Sequence, residues 1–436
     1  MISLLRGATT ATALSLFLLA PPARATCLEL WDPALCHDAN LTLLPQPSST
    51  ESPACLDGSP YGVYHRTSPT GSTKWTMFLQ GGGWCYDEKD CLARSKTAIG
   101  SSLHWPATSG CGCMNVNEAD GTIDDTCNCI WLEYCDGASF SGFREEPWPV
   151  PNSNSTLTFR GIRNLDAAVD WVAEHAGLAD ATEFVLTGGS AGGLSTFLHA
   201  DRVAARVRAV APRTALVDGT VPASTAIYAA PFTGFFLDHG NFHNDSATSY
   251  PAQMEYIYKM QNLTFSDAGG GQSPTGGGGG LTKACEALHP QEPWLCFMSP
   301  HMARFIQTPF FMFNSRFDQW QLANIFQSGW ETPSEKAAVL QYGADFLTQW
   351  RAMVAPPNGA MITTCICHAC NWTSFVLEHK NSFGHYADWR TGKTRGNASL
   401  HVDLRPPNGG GVMTALGHCA EFANATRLLS LSPERH

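Results

Sequence analysis

The chain has 436 residues, a formal charge of −11, 44 % hydrophobic residues and sixteen cysteines. An acidic chain without a cluster of Lys or Arg excludes a nucleic-acid or anionic-membrane binder, since both need concentrated positive charge. The apolar fraction is ample for a large buried core, and the cysteines suit an oxidising compartment with up to eight bridges.

Residues 1–25 read as a secretory leader. Arg6 gives a positive start, Ala8–Ala20 is a short apolar run, and Ala23-Arg24-Ala25 offers a small-x-small cleavage site. The run is shorter than the roughly 20 residues needed to cross a bilayer. No later stretch is apolar enough to cross either, so no integral membrane segment is expected. The polar C-terminal "LSPERH" shows neither a GPI tail nor a KDEL-type signal. The expected location is extracellular, including the cell wall. Asn-x-Ser/Thr sequons begin at Asn40, Asn154, Asn244, Asn262, Asn371, Asn397 and Asn424, which suggests a glycosylated surface.

Residues 26–54, rich in Pro, Ser and Thr, read as an extended lead-in, and 55–436 as one catalytic domain. "GVYHRT" and "KWTMFLQ" are expected to be neighbouring strands. Residues 106–155 read as loop and hold Cys111, Cys113, Cys127, Cys129 and Cys135. Ile162, Leu165, Val169 and Val172 recur at helical spacing within Arg160–His175. "EFVLTG" is a short apolar strand, "SAGGLSTFLHADRVAARV" a helix, "VRAVAPRTALVD" strand-like, and "TPFFMFNS" a strand buried on both faces. Residues 266–280, "SDAGGGQSPTGGGGG", form a low-complexity Gly-rich insertion. Strand alternating with helix is the rhythm of an α/β protein, with a mostly parallel central sheet, helices on both faces and disulfide-rich loops.

The sharpest motif is Gly188-Gly189-Ser190-Ala191-Gly192. Gly-x-Ser-x-Gly between an apolar strand and a helix places the serine on a strained turn with its hydroxyl exposed, a nucleophile elbow. Such a serine needs a base and donors for the developing oxyanion. Gly81-Gly82-Gly83 directly follows an early strand, like the HGGG-type loop of esterases. The hole is therefore assigned to the N–H groups of Gly82, Gly83 and Ala191. In the α/β-hydrolase order the acid and then the histidine follow the serine. Asp318 lies just past a buried strand and is preferred to Asp345, which sits in a helical pattern on a solvated face. His175 and His199 belong to predicted helices and read as surface or packing residues. Among His368, His379, His385, His401 and His418, His368 is favoured because it follows the apolar "GAMITTC"; His385 and His418 read as structural.

His368 lies within "TCICHACNW", where Cys365, Cys367 and Cys370 crowd the histidine. A zinc site is the weakest reading, since these ligands lack the usual spacers. Bridges through the cysteines and a catalytic role for His368 are compatible. No cofactor and no metal are expected. A glycan on Asn371 would stand beside the base.

Several stretches taken in order resemble the pectin acetylesterases of plants and bacteria and, more distantly, the Notum carboxylesterases of animals. They are "LQGGGWCYDEKDCLARSKTAIGSS", "YCDGASFSG", "LTGGSAGGLSTFLHADRV", "CFMSPHMARFIQTPFFMFNSRFDQWQL" and "CICHAC". The resemblance covers roughly residues 55–420. It implies an α/β-hydrolase fold, a Ser190, Asp318, His368 triad, the same oxyanion donors, and bridges Cys85–Cys91 and Cys285–Cys296. This chain departs from the family pattern at 219–233, "GTVPASTAIYAAPFT", which reads as an insertion, in the Gly-rich stretch, and in the placement of Cys370.

The implied activity is serine-dependent hydrolysis of O-acetyl esters on a cell-wall or extracellular polysaccharide. Pectin sits badly with so acidic a protein unless Arg144, Arg163 or Arg316 form a basic patch. A neutral acetylated glycan fits as well. Two alternatives stand beside it. One is deacylation of a lipidated protein, with "AIYAAPF" lining an acyl pocket. The other is a non-catalytic glycan-binding scaffold using tryptophans such as Trp84, Trp105, Trp131 and Trp148.

Overall fold

The computed structural model describes residues 36–46, 52–211, 225–264, 281–329, 331–369 and 376–404. The expected leader at 1–25, the Gly-rich stretch 266–280, Cys370, Asn371, His418 and Asn424 lie outside the described residues.

A ten-stranded sheet organises the chain. Its strands are β1 (Cys36–Leu43), β2 (Gly62–Arg66), β3 (Lys74–Leu79), β4 (Thr108–Gly112) and β5 (Asn128–Leu132), followed by β6 (Glu183–Gly189), β7 (Ala226–Phe232), β8 (Phe311–Ser315), β9 (Gly359–Thr363) and β10 (Leu400–Val402). The spatial order is β10-β9-β8-β7-β6-β3-β5-β2-β1-β4. Strands β10 through β5 run parallel. The pairs β5–β2, β2–β1 and β1–β4 are antiparallel. Strands β5, β6, β8 and β9 are buried along their whole length, as expected for a parallel sheet covered on both sides.

The main helices are α1 (Glu88–Arg94), α2 (Gly161–His175), α3 (Ala191–Val210), α4 (Tyr250–Gln261), α5 (Pro333–Met353) and α6 (Ser382–Arg390). They lie on both faces. Glu183 and Phe184 are consecutive in β6 and so point to opposite sides. Arg390 of α6 pairs with Glu183 at 2.8 Å. Trp171 of α2 packs on His65, whose ring stacks on Trp75, the register partner of Phe184. Helix α3 joins α2 on that face, with Arg202 and Arg206 pairing with Asp166 and Asp170. The predicted apolar stripe Ile162, Leu165, Val169 and Val172 is buried.

Five sequence expectations change. The lead-in supplies β1, so part of 26–54 belongs to the sheet. The strands "GVYHRT" and "KWTMFLQ" are not neighbours, because β5 lies between them. Residues 106–155 are not all loop: they contribute β4 and β5. Short runs such as "NCIWL", buried on both faces, show no alternation to betray a strand. Helix α3 continues to Val210, overriding the β-branched residues that suggested a strand from 207; 212–218 lie outside the described residues. Finally, "AIYAAPF" is no insertion at the mouth of a site. It is β7, a central strand in register with β6 over its whole length.

Disulfides join Cys55–Cys135, Cys85–Cys91, Cys111–Cys129, Cys113–Cys127 and Cys285–Cys296. Both bridges implied by the family resemblance are among them. Cys36, Cys365 and Cys367 are also disulfide-bonded. Among the described residues no helix is long and apolar enough to cross a membrane.

The Glu183–Arg390 pair ties α6 to the middle of the sheet, with side chains 8 % and 5 % exposed. Asn115 also donates to Glu183 at 2.7 Å. Removing one partner of a buried ion pair leaves an uncompensated charge, at a cost of about 3–5 kcal/mol. Arg390→Met is expected to lower the urea unfolding midpoint accordingly; an unchanged midpoint contradicts this account of the pair.

Candidate active site

The site forms where the C-terminal ends of parallel strands meet helix starts. Ser190 sits between β6 and α3, at the helix N-cap, with φ +59°, a backbone region that L side chains rarely adopt. The glycines around it have no room for a side chain. A Cβ on Gly192 would meet the Leu79 carbonyl oxygen at 1.9 Å, and one on Gly193 the Phe232 oxygen at 2.1 Å. Strands β3 and β7 therefore clamp the turn from both sides. The Ser190 N–H is shared between the Phe232 oxygen at 3.0 Å and Thr233 Oγ1 at 3.2 Å.

Asp318 follows β8 and caps a short helix, accepting from the Gln321 N–H at 3.0 Å. It is 1 % exposed. His368 follows β9 on a segment anchored where Ser315 Oγ donates to the Cys365 oxygen. Its Nδ1 donates to Asp318 Oδ2 at 2.8 Å and lies 3.0 Å from Oδ1. Its Nε2 accepts from Ser190 Oγ at 2.8 Å. The tautomer follows from the geometry: an acceptor-only carboxylate requires the proton on Nδ1, which leaves Nε2 as a lone pair facing the hydroxyl. Asp345, the rival acid, lies on α5 between Gln341 and His239. His199 is fully buried between Ser139 and Ser141, and His385 is buried against the Leu377 oxygen.

Gly82 and Gly83 have φ of +147° and +65°. A Cβ on the preceding Gly81 would lie 2.3 Å from the Gly189 oxygen and 2.8 Å from the Ser190 Cβ, so the loop presses on the elbow. A Cβ on Gly83 would meet nothing within 4 Å. Buried Arg94 donates to the Gly82 oxygen at 2.8 Å and to the Ile99 oxygen at 3.1 Å. In a trans peptide the C=O and the next N–H point in opposite directions. Holding the Gly82 carbonyl therefore turns the Gly83 N–H away from Arg94. The "YCDGASFSG" stretch completes the support. Ser139 Oγ accepts from Trp84 Nε1 at 2.8 Å and donates to the Ala191 oxygen at 2.9 Å, linking the glycine loop to the start of α3. Asp136 in this stretch is raised by burial, against the N–H groups of Gly142 and Phe140 that it accepts from.

One side of the site is aromatic. Trp84, Phe236 and Trp320 pack edge to face with centroids 4.9–5.4 Å apart. Trp320 and Phe236 then lie 6.0 and 6.2 Å from the His368 ring. The N–H groups of Phe235, Phe236 and Leu237 are fixed by Asn314, Ser299 and Gln321 at 3.0–3.1 Å. Arg94, Ser139, Phe236 and Trp320 were not singled out from the sequence. The signal for Ser139 is the dense run of small and aromatic residues in 134–142, and for Phe236 the Gly-Phe-Phe-Leu run from 234.

The other expected positions are dispersed. Arg144 stacks on Trp148, Arg163 on Phe143, and Arg316, largely buried, on Phe317. Trp84, Trp105 and Trp131 are buried, which leaves them as core rather than a glycan platform. Asn40, Asn154, Asn244 and Asn397 are exposed, whereas Asn262 is half-buried and donates to the Phe143 oxygen.

The sheet and the serine on its strained turn define an α/β hydrolase. Two crystal forms of the Wnt deacylase Notum from Drosophila share this fold. Their TM-scores are 0.66 and 0.64 at 22 % and 21 % identity, over 82 % of this chain and 94 % of theirs. A family model described as Pectinacetylesterase matches residues 35–382, and the chain belongs to that family. Pectin acetylesterase 11 of Arabidopsis thaliana is 29 % identical over 333 residues, 72 % of this chain and 76 % of that protein. Palmitoleoyl-protein carboxylesterase Notum of Schmidtea mediterranea is 28 % identical over 332 residues, 74 % of this chain. The chain spans 56 % of the length of that Notum, and also 56 % of pectin acetylesterase 5 of Arabidopsis thaliana. The protein is a carboxylic ester hydrolase.

The clamp on the elbow is testable without substrate. In Gly192→Ala the new methyl collides with the Leu79 carbonyl, a backbone atom that cannot swing aside. Overpacking of this kind costs about 1–3 kcal/mol or more, so the variant is expected to melt several degrees lower. A wild-type Tm contradicts the clamp.

Proposed function

We propose that the protein hydrolyses O-acetyl esters on an extracellular polysaccharide, with Ser190 as nucleophile, His368 as base and Asp318 as its orienting acid. The hydrogen-bonded series Ser190 Oγ, His368 Nε2 and Nδ1, Asp318 Oδ2, at 2.8 Å per step, carries the reading. Ser190 Oγ attacks the ester carbonyl while His368 Nε2 takes its proton. The tetrahedral oxyanion is held by N–H groups of Gly82, Gly83 and Ala191. His368 returns the proton to the sugar hydroxyl as it leaves, which yields acetyl-Ser190. A water deprotonated by His368 then releases acetate. Asp318 fixes the imidazole tautomer and stabilises the imidazolium.

The acyl group is inferred to be small. Trp84, Phe236 and Trp320 touch one another beside His368, so an acyl chain cannot pass between them without displacing a ring. The acceptor is inferred to be an acetylated glycan of low charge. The protein carries −11, and Arg144, Arg163 and Arg316 are each engaged on an aromatic ring rather than gathered to meet a polyanion. The leader-like N-terminus and the disulfides support secretion.

Ser190→Ala is expected to lower kcat on p-nitrophenyl acetate by at least about a thousandfold; a wild-type rate overturns the nucleophile. Wild-type protein is expected to cleave acetyl esters faster than octanoyl esters, and to release acetate from acetylated xylan at least as fast as from acetylated pectin. Faster octanoyl turnover would favour the lipid-deacylase alternative instead. Arg94 is a positioning residue. Arg94→Lys is expected to lower kcat about ten- to a hundredfold with KM little changed; a pure KM effect contradicts that role.

A further inference from the structure

The outer edge of the sheet gathers three side chains that the proposed reaction does not use. His401 lies in β10 opposite Met361 of β9. His385 lies in α6, and Glu378 lies in the two-residue turn joining 376–377 to 380–381. One ligand atom from each comes within 4.8 Å of the other two. The two imidazole rings are 3.8 Å apart, centroid to centroid.

The hydrogen bonds fix the state of both rings. His385 Nε2 lies 2.8 Å from the Leu377 oxygen, so it carries the proton and Nδ1 is left as a lone pair. His401 Nδ1 lies 3.0 Å from Glu378 Oε2, so it donates there and Nε2 is left as a lone pair. That Nε2 is buried and has no hydrogen-bond partner among the described residues, and His401 as a whole is 8 % exposed. A buried polar atom with no partner is uncommon and calls for an explanation. Each imidazole thus has one nitrogen braced on an oxygen and the other bare, as metal-ligating histidines do. The turn adds a third oddity. Glu378 and His379 both have positive φ, +53° and +65°, where such turns favour Asn-Gly.

We propose that Glu378, His385 and His401 bind one divalent transition-metal ion of the zinc type. Two imidazoles and a carboxylate suit zinc and disfavour calcium or magnesium, which prefer all-oxygen sets. Zinc bonds of about 2.0–2.1 Å place tetrahedral ligand atoms roughly 3.3 Å apart. The three residues offer ligand atoms within 4.8 Å of one another, and rotation of the largely exposed Glu378 side chain supplies the remaining approach. Nε2 of His401 lies on the far side of its ring from Glu378, so Glu378 must release Nδ1 and swing round to ligate the same ion. Lys380, the neighbouring cation in the hairpin, is engaged by Asp388. The ligands come from a turn, a helix and an edge strand, so the ion would crosslink all three. Its place is structural: Asp403, just past β10, accepts from Thr364 at 2.9 Å, at the root of the segment that carries His368. The site departs from the expectation of no metal and lies away from the cysteine–histidine stretch that first raised one.

The test uses the purified full-length protein, stripped with a chelator and desalted, then titrated with zinc chloride alone. The expected result is one equivalent bound per chain, with a Tm that rises up to one equivalent and then stays level. Glu378→Gln alters an exposed turn residue and is expected to fold normally while binding zinc at least about tenfold more weakly. His401→Gln is expected to lose the zinc-dependent rise in Tm. Zinc uptake that is absent in the wild type, or equal in the wild type and both variants, overturns the proposal.

Discussion

The structure turns on the contact between backbone carbonyls and two glycines. The carbonyls of Leu79 and Phe232, from strands on either side of β6, press on Gly192 and Gly193 where a side chain would otherwise sit. This closeness forces the chain from strand to helix within one residue and leaves Ser190 at φ +59° with its side chain turned outward. Strain of this kind persists only where the surroundings over-determine it. Here the sheet does so, through seven parallel register pairs between β6 and β7 and six between β6 and β3.

Everything else in the site is arranged around that fixed hydroxyl. Asp318 and His368 emerge from β8 and β9, adjacent parallel strands in register from Phe311 with Gly359 to Ser315 with Thr363. Their loops start level with each other, which lets a buried carboxylate reach an imidazole fifty residues further along the chain. The glycine loop is positioned from behind by Arg94 and from the side by the Trp84–Ser139 hydrogen bond. Disulfides Cys85–Cys91 and Cys55–Cys135 brace the same two loops. The geometry is thus held by strands beneath it and by crosslinked loops around it.

How much of this was legible in the sequence depended on the range of the constraint. The elbow was readable because its steric demand is local: small residues must flank Ser190 in the chain itself. Asp318 and His368 were readable because each directly follows an apolar run, so strand order carried them to the site. Strand β5 escapes a sequence reading because a short segment buried on both faces lacks alternation, and the cysteines of β4 and β5 look like loop staples. Phe232, at the end of the supposed insertion, proved to be the residue whose carbonyl helps clamp the elbow. Arg94 gave no local sign, since its partners are the carbonyls of Gly82 and Ile99 and the ring of Tyr134. Glu378, His385 and His401 were likewise invisible as a group, because only the pairing of β10 with β9 brings them together.

The central claim is that Ser190 is activated by His368, itself held by Asp318. Covalent labelling with a fluorophosphonate, with the modified residue mapped by mass spectrometry, tests this most directly, because it reports the nucleophile without assuming a substrate. A single adduct on Ser190 is expected in the wild type, formed at least about a hundredfold more slowly in His368→Ala. An adduct on another residue, no adduct at all, or equal labelling rates in the two proteins would contradict it.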